Sequence, residues 1–419
     1  MTDPAEAELT EAPPLPDGAR DVLPTEAAEL AAIEASLGGT LSGFGYRPVR
    51  TPLLEYADVM DRAQEGGVGR AFRLFDEHGE VLLVRPDLTV PVARLVASRL
   101  ADHPGPLRVS YVAERVVPPR PGKAQAIEER QVGFELVGLA GPAADAEVIA
   151  ALVNALTALG LDDLKVALGD VSLMRAVLLG LGVSEQNQVR LQAAVHARNL
   201  VAWRRIAESL PLDAAVRQKV IDLPSIRGGA DVLRGLSEAV PSAAAECAAL
   251  LTTLDLLATH GVDAYVMTDL GVLRDWGYYS GIVVEAYAPG VGRPVAMGGR
   301  YDGLIGRFGA PRPAVGAAII LDRVHEALAA RNGRGETTEG IVVAGGIERE
   351  LAVARVLRQT GEIVLGVSDA PDVAERLAQA EGWRFVARRS ATGFTVTDRA
   401  NGRAVECADV GEGLRSLRS

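Results

Sequence analysis

Between about residues 170 and 260 the chain loses almost every sign of strands. Ser172 precedes the apolar run LMRAVLLGLG, and Ser184 precedes a Gln/Arg/Ala-rich stretch ending near Trp203. LPLDAAVRQKVIDL, ADVLRGLSEAV and AAAECAALLTTLDLLATHG follow. Apolar residues recur there at helical spacing, with little of the alternation that marks a half-buried strand. Both flanks have the opposite texture. Upstream, FRLFD, a His78-Gly79 turn and VLLVRP read as a β-hairpin, and residues 107–117 and 129–140 read as two strands joined by the loop PPRPGKAQAI. A helix is expected over 25–45, another over 87–103 and a strongly amphipathic one over 143–160. Downstream, DAYVMTDL and GIVVEAYAP restore the strand pattern, with a helix expected from about 315 to 331. These textures demand an α+β body that carries a helical insertion.

The 419 residues suit two or three domains, and 48% apolar content supplies their cores. Residues 1–20 are acidic and Pro-rich and read as a flexible tail. The body spans 21–330, with its insertion at about 170–260. ARNGRGETTEG, around 331–339, reads as a linker. In 340–419, GIVVAGG, EIVLGV, WRFVARR and GFTVTDRANGRAVEC alternate with helical stretches and form a small, partly parallel α/β domain.

Charge narrows the function classes. The net charge is -12, and only three of the 43 basic residues are lysines (Lys123, Lys165, Lys219). With 4% aromatic residues, the chain is poor material for a nucleic-acid coat or a base-stacking platform. Cys247 and Cys407 are too few for a disulfide framework or a Cys-based zinc site, so a reduced, cytoplasmic compartment is expected. The start of the chain lacks a basic, then apolar, signal segment, and no apolar run approaches the ~18 residues of a membrane span. Phosphate-loop, dinucleotide, HExxH and nucleophile-elbow motifs are missing, and the five histidines are dispersed. No cofactor and no metal are expected. The glycines of GGRYDGLIGRFG (298–309) read as a tight strand-to-turn path rather than a phosphate loop.

Three polar constellations carry chemistry. Asp87 and Thr89 stand in RPDLT, where a strand end enters a helix. They can accept hydrogen bonds from a ligand ammonium or serve simply as an N-cap. Gln131 and Glu135 in ERQVGFELVG share one face of a strand, with Gly133 between them leaving room for a ligand. The plainer alternative is a solvent-facing strand. LRDWGYYSGIVVEAY offers Arg274, whose planar fork suits a carboxylate, followed by Tyr278 and Tyr279. Adjacent tyrosines on an extended chain face opposite sides, so one can enter a pocket while the other supports it. Ordinary core-edge packing is the alternative. Acids for an amino group, an Arg for a carboxylate and a Tyr or Glu for a polar ring together describe an amino-acid pocket.

At these segments the chain resembles the class II histidyl-tRNA synthetases over nearly its whole length. FGYRPVRTPLLE, ERQVGFELVG and AVGAAIILDR look like the three class II motifs, and RDWGYYSGIVVE looks like the histidine-specific tyrosine segment. The resemblance implies an antiparallel sheet flanked by helices. It also implies a histidine site of Asp87, Thr89, Gln131, Glu135, Arg274, Tyr278 and Tyr279, with Arg323 ending the third motif. The departures are as informative. Counting back from Glu114-Arg115, Val112 stands where a synthetase holds the ATP α-phosphate with Arg. Ile320 replaces a Gly beneath the nucleotide, Gly281 replaces an Arg, and the terminal unit lacks its Lys-rich segment.

A retained amino-acid site beside an altered ATP site is similar to one family, the ATP phosphoribosyltransferase regulatory subunits of histidine biosynthesis. That resemblance implies a subunit with no catalytic residues of its own and no aminoacylation. It implies a hetero-oligomer with a short-form catalytic subunit that depends on this chain for activity, with feedback by L-histidine. Self-association as a dimer is expected, and neither tRNA nor membrane is an expected partner. A divergent histidyl-tRNA synthetase and a stand-alone histidine sensor or carrier-charging paralogue remain the alternatives.

Overall fold

The computed structural model describes residues 14–63, 70–119, 126–197, 199–272, 278–332, 338–344, 347–367, 371–380 and 382–419. Arg274, most of the 331–339 linker and the first 13 residues therefore lie outside the described residues. The chain divides into two compact units. One comprises the segment up to Asp21 and Leu30–Arg331, the other Val22–Glu29 and Asn332–Ser419.

The first unit is built on a nine-stranded sheet. Its order is Arg47–Pro48, Leu107–Val116, Glu128–Val137, Ala314–Ile320, Ala296–Arg300, Ile282–Tyr287, Lys165–Asp170, Val266–Asp269 and Arg227–Gly228. The centre is antiparallel throughout. Parallel pairs occur only where Arg47–Pro48 meets Leu107–Val116 and where Lys165–Asp170 meets Val266–Asp269. Alternation divides the Glu128–Val137 strand cleanly. Val132, Phe134 and Leu136 enter the main core, while Glu129, Gln131, Gly133 and Glu135 point the other way.

The main core lies between the sheet and the helix Pro142–Thr157. That helix is not the amphipathic one expected: it is apolar nearly all round because it is covered on both sides, by the sheet and by the helix Ala244–Thr259. Pro142 suits its first turn, where a missing N–H costs nothing, and Gly141 enters it at φ +80°. Between 171 and 259 lie six α-helices and the two-residue strand Arg227–Gly228, so the helical insertion is present. One sequence expectation needs amendment. Pro241–Thr259 is long and apolar enough by composition to cross a bilayer. Here it packs against the helices Pro142–Thr157 and Ala230–Ala239.

A separate three-stranded sheet, Leu54–Tyr56, Val81–Val84 and Arg73–Phe75, contains the expected hairpin. Its turn is held by the Asp76 carboxylate, which accepts from His78 N and Glu80 N at 2.8 and 2.9 Å, with Gly79 at φ +83°.

The second unit has a mixed five-stranded sheet, ordered Val364–Val367, Thr338–Ala344, Trp383–Arg389, Phe394–Asp398, Ala404–Cys407. The first three strands run parallel and the rest antiparallel. Ile341, Val343, Phe385 and Ala387 pack with Leu357, Leu414 and Leu417 on one face. Val342, Ala344 and Val386 pack with Ala374 and Ala378 on the other.

Candidate functional site

On the face of the sheet turned away from the Pro142–Thr157 helix, register aligns residues across four strands. Opposed residues in antiparallel pairs share a face. Glu135 lies beside Gly316 and Val109, Gly133 beside Ala318 and Tyr111, Gln131 beside Ile320 and Ala113, and Glu129 beside Arg115. Gly316 in turn pairs with Gly299, and the Tyr301 N–H donates to Ala314 O at 2.8 Å.

Glu135 is the centre. Its side chain is buried, and its two oxygens accept from the hydroxyls of Tyr111 (3.2 Å) and Tyr301. Two glycines make this possible. A Cβ on Gly316 would fall 1.5 Å from Glu135 Oε2, and one on Gly133 would fall 2.1 Å from the Tyr111 ring. The space over Gly133 is thus taken by Tyr111, not left open for a ligand. Burial raises the Glu135 carboxyl to about 8; the negative Asp87 adds to this, and the hydroxyls of Tyr301, Thr89 and Tyr111 oppose it. The tyrosines Tyr111, Tyr278 and Tyr301 are all raised, first by burial and then by these acids.

Asp87 and Thr89 reach the cluster from the turn before the helix Thr89–Arg99. Asp87 Oδ1 accepts from Val90 N at 2.8 Å, so it does act as a cap. Its charge is also felt by Glu135, Tyr111 and Tyr278. Both readings of Asp87 therefore hold.

Tyr278 and Tyr279 precede the strand Ile282–Tyr287 and diverge as alternation requires. Tyr278 packs on the cluster containing Tyr111 and Tyr301, and Tyr279 packs on the main core. Their rings meet edge to face at 5.1 Å, and Tyr278 lies 5.8 Å from the Tyr301 ring. Among the described residues the buried Tyr278 hydroxyl has no hydrogen bond of normal geometry, although the Thr89 hydroxyl acts on it. Beside these tyrosines lies a cavity of about 180 Å³, bordered also by Arg175, Ser280, Leu304 and Arg307. That is below the ~300–1,000 Å³ of pockets for drug-sized ligands, and so fits a small solute. Gln131 lies on the same face, buried, but outside this cluster.

Two further positions differ from expectation. Val112 pairs with Val132 and so lies on the opposite face from Gln131 and Glu135. It therefore lies off the Glu135 face of the sheet, on which that strand places Tyr111, Ala113 and Arg115. Gly281 is crowded by Arg300: a Cβ there would stand 3.0 Å from Arg300 Cδ. Arg300 is buried in an ion pair with Asp145 (2.7 Å) and also donates to Asp302. Ile320, by contrast, is fully buried and does stand on the pocket face, opposite Gln131.

Sequence reading missed Tyr111 and Tyr301. Tyr301 sits in GGRYDG, read as mere turn glycines. Its usable signal was the Tyr itself, two residues beyond a glycine-rich edge that lets it approach Glu135.

A nine-stranded, centrally antiparallel sheet with a buried carboxylate among tyrosines defines a class II synthetase-like protein. The histidyl-tRNA synthetase family model matches residues 18–324. A histidyl-tRNA synthetase structure from Nostoc sp. PCC 7120 superposes with a TM-score of 0.81 over 96% of this chain and 99% of that one, at 22% identity, which shows the shared fold. A structure titled as an ATP phosphoribosyltransferase regulatory subunit/histidyl-tRNA synthetase from Bacillus halodurans C is 30% identical, with a TM-score of 0.79 over 90% and 97% of the two chains. Curated relatives named ATP phosphoribosyltransferase regulatory subunit include one from Desulfitobacterium hafniense, 38% identical over 84% of this chain and 90% of its own length. One from Moorella thermoacetica is 38% identical over 88% and 96%. The chain belongs to the family of ATP phosphoribosyltransferase regulatory subunits, a non-aminoacylating branch of the histidyl-tRNA synthetase fold.

Proposed function

We propose that this chain binds L-histidine at the Glu135 cluster, through the adjoining cavity beside Tyr278 and Tyr279, and passes that occupancy to a short-form ATP phosphoribosyltransferase catalytic subunit, which it both activates and places under feedback control. The family membership supports the regulatory role. The pocket reading is supported by one observation: a buried carboxyl ringed by Tyr111, Tyr301 and Thr89, with Asp87 alongside. A cationic or donor-rich ligand is what such an acid pair prefers. Asp87, Thr89, Gln131, Glu135, Tyr278 and Tyr279, with Arg274 for the carboxylate, form the proposed histidine set. Tyr111 and Tyr301 join it as the groups that orient Glu135.

The physical requirement is linkage. Histidine changes activity only if it binds one state of the complex better than another. The decisive experiment adds the purified chain to a short-form catalytic subunit. Phosphoribosyl transfer should appear only with both present and should fall when histidine is added. Robust histidine-dependent ATP–pyrophosphate exchange by the chain alone would instead favour a divergent synthetase.

Assembly also needs a surface. In the three-stranded sheet, Leu54, Tyr56, Leu74, Leu82 and Val84 share one face by register, with Phe72 alongside. Tyr56 is 50% exposed and Leu74 43%. A face this free of charge suits a permanent contact between copies better than a regulated partner, because obligate interfaces are the more apolar kind. We assign it to self-association. A cytoplasmic location and the lack of a tRNA partner complete the proposal, the latter because a net charge of -12 opposes phosphate contact.

A further inference from the structure

Six residues along the same strand from Glu135, on the same face, two arginines converge on one acid. Arg115 donates to Glu129 Oε2 through Nε (2.6 Å) and Nη2, and Arg323 Nη2 donates to Glu129 Oε1. The side chains of Glu129 and Arg323 are largely buried, and that of Arg115 is partly exposed. The remaining arginine donors are only partly satisfied. Arg323 Nη1 donates to Pro294 O at 2.8 Å, while its Nε is buried with no partner among the described residues. A third cation, Arg293, acts on Arg323 and is itself paired with Glu326 at 3.4 Å on the surface. Converging guanidinium forks, one with a spare buried donor, are the geometry that recognises a tetrahedral oxyanion. Here one carboxylate fills that position from within.

We propose that Glu129 is a built-in counter-anion, closing an anion subsite that Arg115 and Arg323 would otherwise offer to a phosphate or pyrophosphate group. Buried charges must be paired, and a pair of arginines left without an acid would attract the most abundant oxyanion within reach. By supplying the acid itself, the chain keeps this end of the sheet face inert while the Glu135 end stays available. Ile320, buried one row away on the same face, narrows the space further. Small inorganic anions, rather than a whole nucleotide, are therefore the proper probe. The inference does not depend on what the Glu135 pocket binds.

The test is Glu129→Gln, which keeps the size and one acceptor oxygen, removes the charge, and turns the other oxygen into a donor that no arginine can pair with. In calorimetry with inorganic pyrophosphate at low salt, the wild-type chain should bind nothing measurable. E129Q should bind, at least about tenfold more tightly than the double variant E129Q/R323Q, and the affinity should fall with added salt. The melting temperature of E129Q alone should rise with pyrophosphate. Wild-type chain that already binds pyrophosphate would overturn the proposal, as would a cooperatively folded E129Q that binds no better than wild type. If E129Q does not fold unaided, refolding in pyrophosphate gives the reading: recovery supports the counter-anion role, and no recovery overturns it.

Discussion

Glu135 sits where three tyrosine-bearing segments and a helix start converge, and its protonation is the quantity most exposed to experiment. Its pKa is raised from 4.5 to about 8 in the folded chain. Between those values the folded state holds a proton that the unfolded state has released, so stability falls as pH rises through that window. Asp145, raised from 3.8 to about 6, acts in the same direction over a lower window. Glu135→Gln should flatten the fall between pH 6 and 8, leaving the Asp145 contribution below it. Melting temperature against pH measures this, and parallel profiles for the two proteins would refute it. Ligand binding should carry the same signature. If a cationic group docks on Glu135, the proton must leave, and histidine affinity should rise with pH up to about 8, by at most ~tenfold per unit. Gly316→Ala tests the packing itself. Its Cβ would fall 1.5 Å from Glu135 Oε2 and 2.5 Å from Phe134 O, so neither neighbour can yield cheaply. A loss of about 1–3 kcal/mol in urea unfolding is expected, with histidine binding abolished. At this scale the sequence singled out polar residues in apolar surroundings but not which of them meet. Asp87, Thr89, Glu135 and Tyr278 were readable because each interrupts an apolar or turn pattern. Tyr111 was not, since only register across the loop shows that it lies over Gly133. The same missing register misplaced Val112.

Elements were legible where periodicity was long. The Pro142–Thr157 helix, the helices of the insertion and the His78-Gly79 hairpin all follow from spacing and turn residues. Two-residue strands such as Arg47–Pro48 and Arg227–Gly228 exist only through pairing with a neighbour, and no local pattern announces them. Nor does a local pattern reveal that Leu54, Tyr56, Phe72 and Leu74 come from separate segments to one sheet face. That face makes an element-level prediction. Leu74→Glu should place a charge in the proposed contact between copies, and light scattering should show the assembly shifting from dimer to monomer at micromolar concentration. Far-ultraviolet circular dichroism should be unchanged, because Leu74 is already 43% exposed in the single chain. A Leu74→Glu protein that remains dimeric would remove this face from consideration.

For the whole molecule, the proposed function makes the arrangement a binding site without a reaction. One sheet face carries a buried carboxyl among tyrosines at the Glu135 end, and arginines already matched by Glu129 at the other. A synthetase uses such a face to join an amino acid to a nucleotide. A regulator needs only the first half, provided that occupancy is felt elsewhere. The coupling that feedback requires is typically ~1–3 kcal/mol, a 5- to 150-fold change in affinity, and it is reciprocal for binding. Histidine should therefore weaken or strengthen assembly with the catalytic subunit by the same factor by which assembly changes histidine affinity. Glu135→Ala separates the two roles. Because Glu135 is buried and is not among the exposed residues of the apolar face proposed for self-association, the variant should still assemble and still activate the catalytic subunit. Its histidine inhibition curve should shift to at least about tenfold higher concentration. If E135A complexes remain inhibited at wild-type histidine levels, the feedback site lies outside this pocket, and the cluster around Glu135 serves the fold alone.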